Sequence, residues 1–419
     1  MRILFLNELS DPRIGSSIRQ MYQHAACLRE GGHDARVLSV TQDPARAGWT
    51  EIEGTPVFHA HSDYPVRFRA WVSLDNPRVR GAVSAVLAEF QPDVVHSHLI
   101  HTHLGYASLT AARQSGAGVV FTAHDVMSFC YQKLTCFHGG EAAGGLDRDY
   151  AARASKCIPC QRLRFRPGRN TRIREVLARD VDRFTVVSDE LGRAISANGI
   201  RVDRTVHNAV REQSSMPSTE EVRAFRERKG LSGKQVITIG GRLHEQKGVA
   251  QLLRMLAHLA PEFPDARLLV MGREEIYRSG FEALARELGV GDRVVPVGWL
   301  DGDELQAAYA ATDVLVTPSI CFDTFGMVNL EAMEHGKPVV ATTFGGSQEV
   351  VASGETGWIE NPFDVPAFAE SIARLLRDPE LARSMGAAGR RRLAAHFTIE
   401  RLTAEFLEEY ELARAAVRS

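Results

Sequence analysis

Short apolar runs alternate along this chain with longer stretches whose apolar positions recur at helical spacing. Arg2 to Asn7 is a strand-like run, followed by a polar loop and Gly15-Ser16-Ser17. Ile18, Met21, Tyr22, Ala25 and Leu28 then mark one helical face that ends at Gly31-Gly32, and Asp34 to Val40 reads as a second strand. This order of strand, Gly-containing loop, helix and strand opens a doubly wound α/β domain. A helix over Val79 to Phe90 leads to the buried strand Val94-Val95-His96-Ser97-His98. Val119 to Ala123 is the next strand and runs into His124-Asp125, and Phe184 to Asp189 and Thr205 to Val210 continue the rhythm. Arg211 to Pro217 has linker character. Val236 to Ile239 and Gly240-Gly241 then repeat the opening, with a helix from Val249. Leu268 to Gly272, Val294 to Trp299, Val314 to Ser319 and Val339 to Thr342 predict further parallel strands. A last helix follows over Ile399 to Leu412. The expectation is an α/β chain of two Rossmann-like domains, residues 1–210 and 211–397.

A chain of 419 residues, 44% hydrophobic, is long enough for two such cores. The formal net charge of -2 gives no global basic field, which disfavours a nucleic-acid partner. No apolar run is long enough to span a bilayer. Met1 to Asn7 reads as a first strand rather than a leader, so the expected location is cytoplasmic. Only six of the basic residues are Lys (Lys133, Lys156, Lys229, Lys234, Lys247, Lys337), an Arg bias that suggests a bacterial source.

The chemistry concentrates in two stretches of the second half. Ser319 to Gly346 holds two acids eight positions apart, Asp323 in a loop and Glu331 on a helix beginning near Phe325. Gly326 and Met327 stand at the first turn, where unsatisfied N–H groups and the helix dipole favour an anion and a glycine admits a ligand closely. The other stretch is Gly241-Arg242-Leu243-His244-Glu245-Gln246-Lys247-Gly248, with a planar guanidinium and a compact ammonium beside another helix N-terminus. Neither Gly15 nor Gly241 lies in a G-x-G-x-x-G, which disfavours a dinucleotide oxidoreductase.

Both stretches resemble signatures of the large retaining glycosyltransferase family typified by glycogen and sucrose synthases and bacterial mannosyltransferases (glycosyltransferase family 4). They resemble its acid-x7-acid motif, with Asp323 where Glu is usual, and its Gly-Arg…Lys-Gly element, here Gly241-Arg242 and Lys247-Gly248. The resemblance implies the GT-B fold: two facing Rossmann-like domains with the active site between them, and the helix 398–419 crossing back onto the first. It implies transfer of a hexosyl unit, with retention, from a UDP- or GDP-type nucleotide sugar to a hydroxyl acceptor, with no cofactor or catalytic metal. Arg242 and Lys247 would hold the diphosphate, with Gly241, Phe325, Gly326 and Met327 around the donor. Asp323 would take sugar hydroxyls, Glu331 the ribose, Gly15 would approach the donor, and His124 the transferred sugar. The alternatives are a disaccharide phosphorylase on the same fold and a non-catalytic nucleotide-sugar-binding protein.

Residues 127–168 interrupt the α/β rhythm of the first domain. Cys130, Cys136, Cys157 and Cys160, spaced C-x5-C-x20-C-x2-C in a Gly-rich segment with little apolar content, are candidate ligands of a structural zinc ion. Between residues 153 and 179 stand nine basic residues (Arg153, Lys156, Arg162, Arg164, Arg166, Arg169, Arg172, Arg174, Arg179) and one acid, Glu175. This run is a candidate contact for an anionic acceptor or a membrane surface; a solvated helix face is the plainer expectation.

Overall fold

The computed structural model describes residues 1–212 and 215–418, so Gln213 and Ser214 of the expected linker lie outside the described residues. The chain divides into two compact units. One comprises Met1–Cys136, Asp149–Arg211 and Ile399–Ser419, the other Phe137–Arg148 and Glu212–Thr398. The twelve residues from Phe137 to Arg148, expected within the first domain, therefore belong to the second unit.

In the first unit, β1 (Arg2–Leu6), β2 (Asp34–Thr41), β3 (Gly48–Ile52), β4 (Thr55–His61), β5 (Val94–Ser97), β6 (Gly118–Ala123), β7 (Arg183–Val186) and β8 (Arg204–Thr205) form one sheet. Its order is β3-β4-β2-β1-β5-β6-β7-β8. All neighbours are parallel except the β3–β4 hairpin at the edge. Ile3, Phe5, Val37, Val94 and Val120 from the strands, Ile18, Met21, Tyr22 and Leu28 from the helix Ser16–Glu30, and Leu402, Phe406 and Tyr410 from the helix Ile399–Arg418 share one buried cluster. Every residue of β5 and β6 is buried, with Val94, Val95, Val119, Val120 and Phe121 supplying the apolar run that a parallel strand covered on both faces requires.

The second unit repeats the plan with β9 (Gln235–Gly240), β10 (Ala266–Met271), β11 (Val294–Gly298), β12 (Val314–Thr317), β13 (Val339–Thr342) and β14 (Gly357–Glu360). Its order is β11-β10-β9-β12-β13-β14, every pair parallel. Leu252, Leu253 and Leu256 of the helix Val249–Leu259 pack with Phe368, Ile372 and Leu376 of the helix Val365–Arg377 over this sheet. The order reverses between β10 and β12 on either side of β9, and in open α/β sheets such a switch point is where ligands collect beyond the strands' C-terminal ends.

Buried imidazoles tie the final helix to the first sheet. His96 on β5 hydrogen-bonds through Nδ1 to the Tyr410 hydroxyl at 2.7 Å and through Nε2 to Thr122 Oγ1 on β6 at 2.7 Å. His24 stacks on Phe406 with ring centroids 5.3 Å apart. Burial holds both rings neutral, pushing His24 down to about 3 and His96 well below the usual value. A neutral ring suits an apolar layer, because an imidazolium there would have no compensating charge.

Two outcomes follow. Tyr410→Phe leaves a ring nitrogen of His96 without its partner and is expected to lower stability by about 1–3 kcal/mol, read as a lower urea midpoint at unchanged m. Because folding depresses the His24 pKa, the unfolded chain binds more protons between the two values. The stability this contributes is full above about pH 6.5 and is lost as pH falls towards 3. Thermal midpoints across that window should fall for the wild type and fall less for His24→Phe.

Candidate functional site

The second unit gathers its candidate residues beyond the C-terminal ends of β9 and β12. After β9, Gly241 adopts φ +104 and its N–H donates to Met271 O at 3.0 Å, which turns the chain sharply. The loop ends at Gly248, φ +72, immediately before the helix Val249–Leu259. A Cβ on Gly248 would stand 1.8 Å from Pro318 O, so this backbone lies directly against the loop that leaves β12. The N–H groups of Ile320 and Cys321 both donate to Gln246 O, at 3.0 and 3.2 Å.

This junction delivers Lys247 to Asp323. Lys247 Nζ lies 3.1 Å from Asp323 Oδ2 and 3.5 Å from Ser319 Oγ, and Ser319 Oγ also donates to Asp323 Oδ2 at 3.1 Å. Burial opposes the ammonium charge, but the neighbouring Asp323 carboxylate and Cys321 outweigh it and hold the Lys247 pKa above its usual value. The lysine is therefore a fixed cation. Its side chain keeps about a third of its surface exposed (32%), while that of Asp323 is nearly covered. Asp323 is itself clamped: its N–H donates to Phe344 O at 2.9 Å, and Gly346 N–H donates to its carbonyl at 2.7 Å. A Cβ on Gly345 would sit 2.0 Å from Asp323 O, so only glycine permits that clamp.

The helix carrying Glu331 spans Met327–Glu334 and starts two residues later than the sequence suggests. Gly326 at φ +83 serves as its N-cap, and no side chain caps it. Asn329 fixes this turn, accepting from Thr317 Oγ1 at 3.0 Å and donating to Ser347 Oγ at 3.3 Å. Glu331 Oε2 accepts a 2.5 Å hydrogen bond from Tyr309 OH, and the Tyr309 ring stacks on His335. Met327 is partly exposed at the first turn. Phe325, expected to face a donor, turns its ring inward onto Phe397 at 5.9 Å and is 1% exposed. Arg242 is exposed on the same loop as Lys247.

His138 braces the loop that leaves β12. Gly140 N–H donates to its Nδ1 at 2.9 Å, so Nε2 carries the proton and donates to Ile320 O at 2.7 Å. Its ring stacks on Phe344 at 4.8 Å, and Asn361 Nδ2 donates to Gly144 O at 2.6 Å. Phe137–Arg148 is thus attached at both flanks of Asp323, through Ile320 and Phe344. The contact joins residues 182 apart in sequence, with no local pattern to announce it.

In the first unit, His124 stands just past the end of β6, and its Nε2 is 2.7 Å from Nδ1 of His98, just past β5. Among the described residues, His124 Nδ1 and His98 Nε2 have no hydrogen-bond partner. Burial pushes His124 down to about 4, with Asp125 and His101 acting in opposite directions, so the ring is neutral near pH 7. Asp125 is held by His101 Nε2 at 3.2 Å and by the Met127 N–H at 2.8 Å. Gly15 is the extended N-cap of the helix Ser16–Glu30, and nothing lies within 4 Å of a Cβ built there. No backbone strain demands glycine at that position; the space over it is open.

The four cysteines all fall in the first unit. Cys157 and Cys160 share one face of the short helix Ala154–Gln161. Burial pushes the Cys130 thiol up to about 12, and Cys136, Cys157 and Cys160 lie near enough to add to that shift. The donor set has the chemistry for zinc, yet among the described residues no three His, Cys, Asp or Glu side chains are already arranged around one point as ligands.

Comparison with known proteins assigns the lineage. Residues 16–209 match the model described as "Glycosyl transferase 4-like domain", and residues 221–392 match "Glycosyl transferases group 1". Over 180 residues the chain is 35% identical to the GDP-mannose-dependent alpha-(1-6)-phosphatidylinositol monomannoside mannosyltransferase of Mycolicibacterium smegmatis, a match covering 42% of this chain and 47% of that one. It therefore spans about half the length of that relative. The glycogen synthase of Mycobacterium tuberculosis is 26% identical over 100% of this chain and 96% of its own. Among solved structures, sucrose-phosphate synthase from Thermosynechococcus elongatus superposes with a TM-score of 0.77 at 22% identity, covering 99% of each chain. HepE of Anabaena in complex with UDP-glucose gives 0.69 at 19%, covering 98% of this chain and 100% of that one. With two domain models accounting for most of its length and with this fold, the chain belongs to the glycosyltransferase group 1 family, built on the GT-B fold.

Proposed function

We propose that the protein is a retaining hexosyltransferase that uses a nucleoside diphosphate sugar. The observation that carries this reading is the Lys247–Asp323 pair at 3.1 Å, held by backbone contacts that only Gly248 and Gly345 allow. Breaking the bond between sugar and diphosphate builds negative charge on the leaving oxygens. A fixed ammonium at Lys247, the guanidinium of Arg242 and the uncapped helix start at Gly326 answer that charge, and each acts more strongly on the transition state than on the intact donor. Asp323, its backbone clamped, presents a carboxylate to sugar hydroxyls. Glu331, oriented by Tyr309, accepts from the ribose. Neutral His124 offers one ring nitrogen to the transferred sugar. The leaving phosphate takes the proton of the acceptor hydroxyl, so the reaction needs no metal ion and no covalent carboxylate. The GDP-mannose dependence named for the mannosyltransferase relative and the UDP-glucose bound to HepE support a UDP- or GDP-hexose as the donor. A phosphorylase or a binding protein would use the same pocket, and the assays below separate them.

The family's donor loop carries Phe325 into the core here, so its ring contributes no wall to the proposed donor pocket. Its role is to seat the loop against Phe397.

A structural zinc ion on Cys130, Cys136, Cys157 and Cys160 is the second part of the reading. Four thiols of suitable type stand near one another in a segment with few apolar residues, and metal binding would deprotonate them and supply folding energy. It would support the fold and take no part in the reaction.

Lys247→Ala is expected to lower turnover on the order of 100-fold. In thermal unfolding with UDP-, GDP-, ADP- and dTDP-sugars, one series at about 100 times Kd should add roughly 2.7 kcal/mol to the wild type and nothing to the mutant. No stabilisation by any of them, or sugar phosphate formed from phosphate without nucleotide, would sink the transferase reading. Product anomers resolved by NMR test retention, and EDTA should leave the rate unchanged. Metal analysis of untagged protein should find about one zinc per chain, lost in Cys157→Ser/Cys160→Ser together with a drop in thermal midpoint. Far less zinc in the wild type would remove that assignment.

A further inference from the structure

The arginines of the first unit are unevenly used. Arg153 pairs with Asp149, Arg80 with Asp75 and Arg179 with Asp180. Arg169 is buried, donating to Met127 O and lying over the Tyr131 ring. In contrast, Arg67, Arg162, Arg164, Arg166 and Arg172 have no carboxylate partner among the described residues. Among the described residues the Arg166 guanidinium donates to main-chain oxygens, to Trp71 O at 3.2 Å and Ala70 O at 3.5 Å, and lies 6.0 Å from the Trp71 ring. That contact sets the segment 162–166 beside the segment 66–71.

Large apolar side chains are exposed in the same two segments. Leu163 is 98% exposed between Arg162 and Arg164, and Val66, Phe68 and Trp71 are exposed around Arg67. A leucine fully in water between two unpaired arginines lacks any fold-based reason. From Trp71 and Arg166 an open groove of about 960 Å³ continues between the helices Pro77–Phe90, Ala107–Gln114 and Arg169–Asp180, floored by Val79, Val83 and Ala111. Its acids are Asp75, taken by Arg80, and Glu175.

We propose that this face docks on an anionic lipid bilayer. Phe68, Trp71 and Leu163 would enter the headgroup layer, and the unpaired arginines would rest on lipid phosphates. An apolar tip among unpaired cations fits a surface that is negative outside and hydrocarbon within. Nucleic acid would share the charge but gives no partner to an aliphatic Leu163 or Val66, which cannot stack as aromatic rings do. No described helix is long and apolar enough to cross a membrane, so attachment by this face is peripheral. The proposal stands apart from the transferase reading, since binding needs neither donor nor acceptor.

The test is sedimentation of the full chain with vesicles of phosphatidylcholine alone and of phosphatidylcholine with a third phosphatidylglycerol. Binding is expected to the anionic vesicles, to weaken steeply with salt and to be near zero on the neutral ones. Arg162→Gln/Arg164→Gln should weaken it roughly twenty-five-fold, about fivefold for each charge. Phe68→Glu/Leu163→Glu should weaken it at least as much. Both variants change exposed positions, and an unchanged thermal midpoint confirms that they fold. No binding, equal binding to both vesicle types, or wild-type binding by Phe68→Glu/Leu163→Glu would overturn the proposal. So would tighter binding to single-stranded RNA that ignores Leu163.

Discussion

The architecture of the second unit turns on a contact between two main chains. Gly248 presses its Cα against the Pro318 carbonyl so closely that a methyl group would stand 1.8 Å from that oxygen. Everything that makes Lys247 useful follows from this. The lysine is next to the contact on one loop, Ser319 and Asp323 are just past it on the other, and Gln246 O collects two N–H groups across the seam. Two flexible loops would pay the ordering cost of their side chains each time a ligand bound. A seam made of backbone bears that cost during folding, and so the charges are in place beforehand. The second clamp, Gly345 against Asp323 O, repeats the device on the far side of the acid.

The first unit uses protonation state rather than backbone contact. Parallel strands place successive residues past their ends side by side, so His98 after β5 meets His124 after β6. Burial keeps both rings neutral. A neutral pair can share only one proton between the facing nitrogens, which fixes their relative orientation and leaves His124 Nδ1 as a directed group with no partner among the described residues. His96, two residues before His98 on the same strand side, is fully used by Tyr410 and Thr122 and belongs to the fold. Similar residue types in one strand end thus divide into structural and available groups according to what the neighbouring strand and helix offer them.

Most of the sheet was legible because parallel strands buried on both faces must be continuous apolar runs. Val94-Val95, Val119 to Ala123 and Val314 to Thr317 could scarcely be read otherwise. The β3–β4 hairpin escaped notice for the opposite reason: β3 is an edge strand with exposed Trp49, Thr50 and Glu51, and its pattern carries no burial signal. The acids, Lys247 and the glycines were legible as motifs, since a positive φ or a close backbone approach confines a position to glycine. The inward turn of Phe325 was not, because a motif records the residue type and leaves its rotamer to the packing of Phe397. Arg67 was likewise missed: a charge run is counted along the chain, and this arginine joins residues 162–166 only through the fold.

The segment Phe137–Arg148 shows how a local irregularity in sequence can have a distant cause. Its glycines look like a loop without a core. In the fold, Gly145 lies so near Phe344 and Phe363 that a Cβ would fall 2.8 and 2.7 Å from their rings, and Gly139 meets Asp147 and Ala143 in the same way. Small residues are there because aromatic rings and a returning chain occupy the space. With Nε2–H aimed at Ile320 O, His138 acts as the end of a strap that supports the loop carrying Asp323 from outside it. Burial lowers its pKa and keeps the ring neutral, so that Nδ1 can still accept from Gly140 while Nε2 donates. Protonation would put a donor on Nδ1, against the Gly140 N–H, and break the turn that aims the ring. The neutral state of one histidine and the absence of side chains at the glycines around it are therefore parts of a single requirement, to hold Ile320, and through it Asp323, at a fixed distance from Lys247.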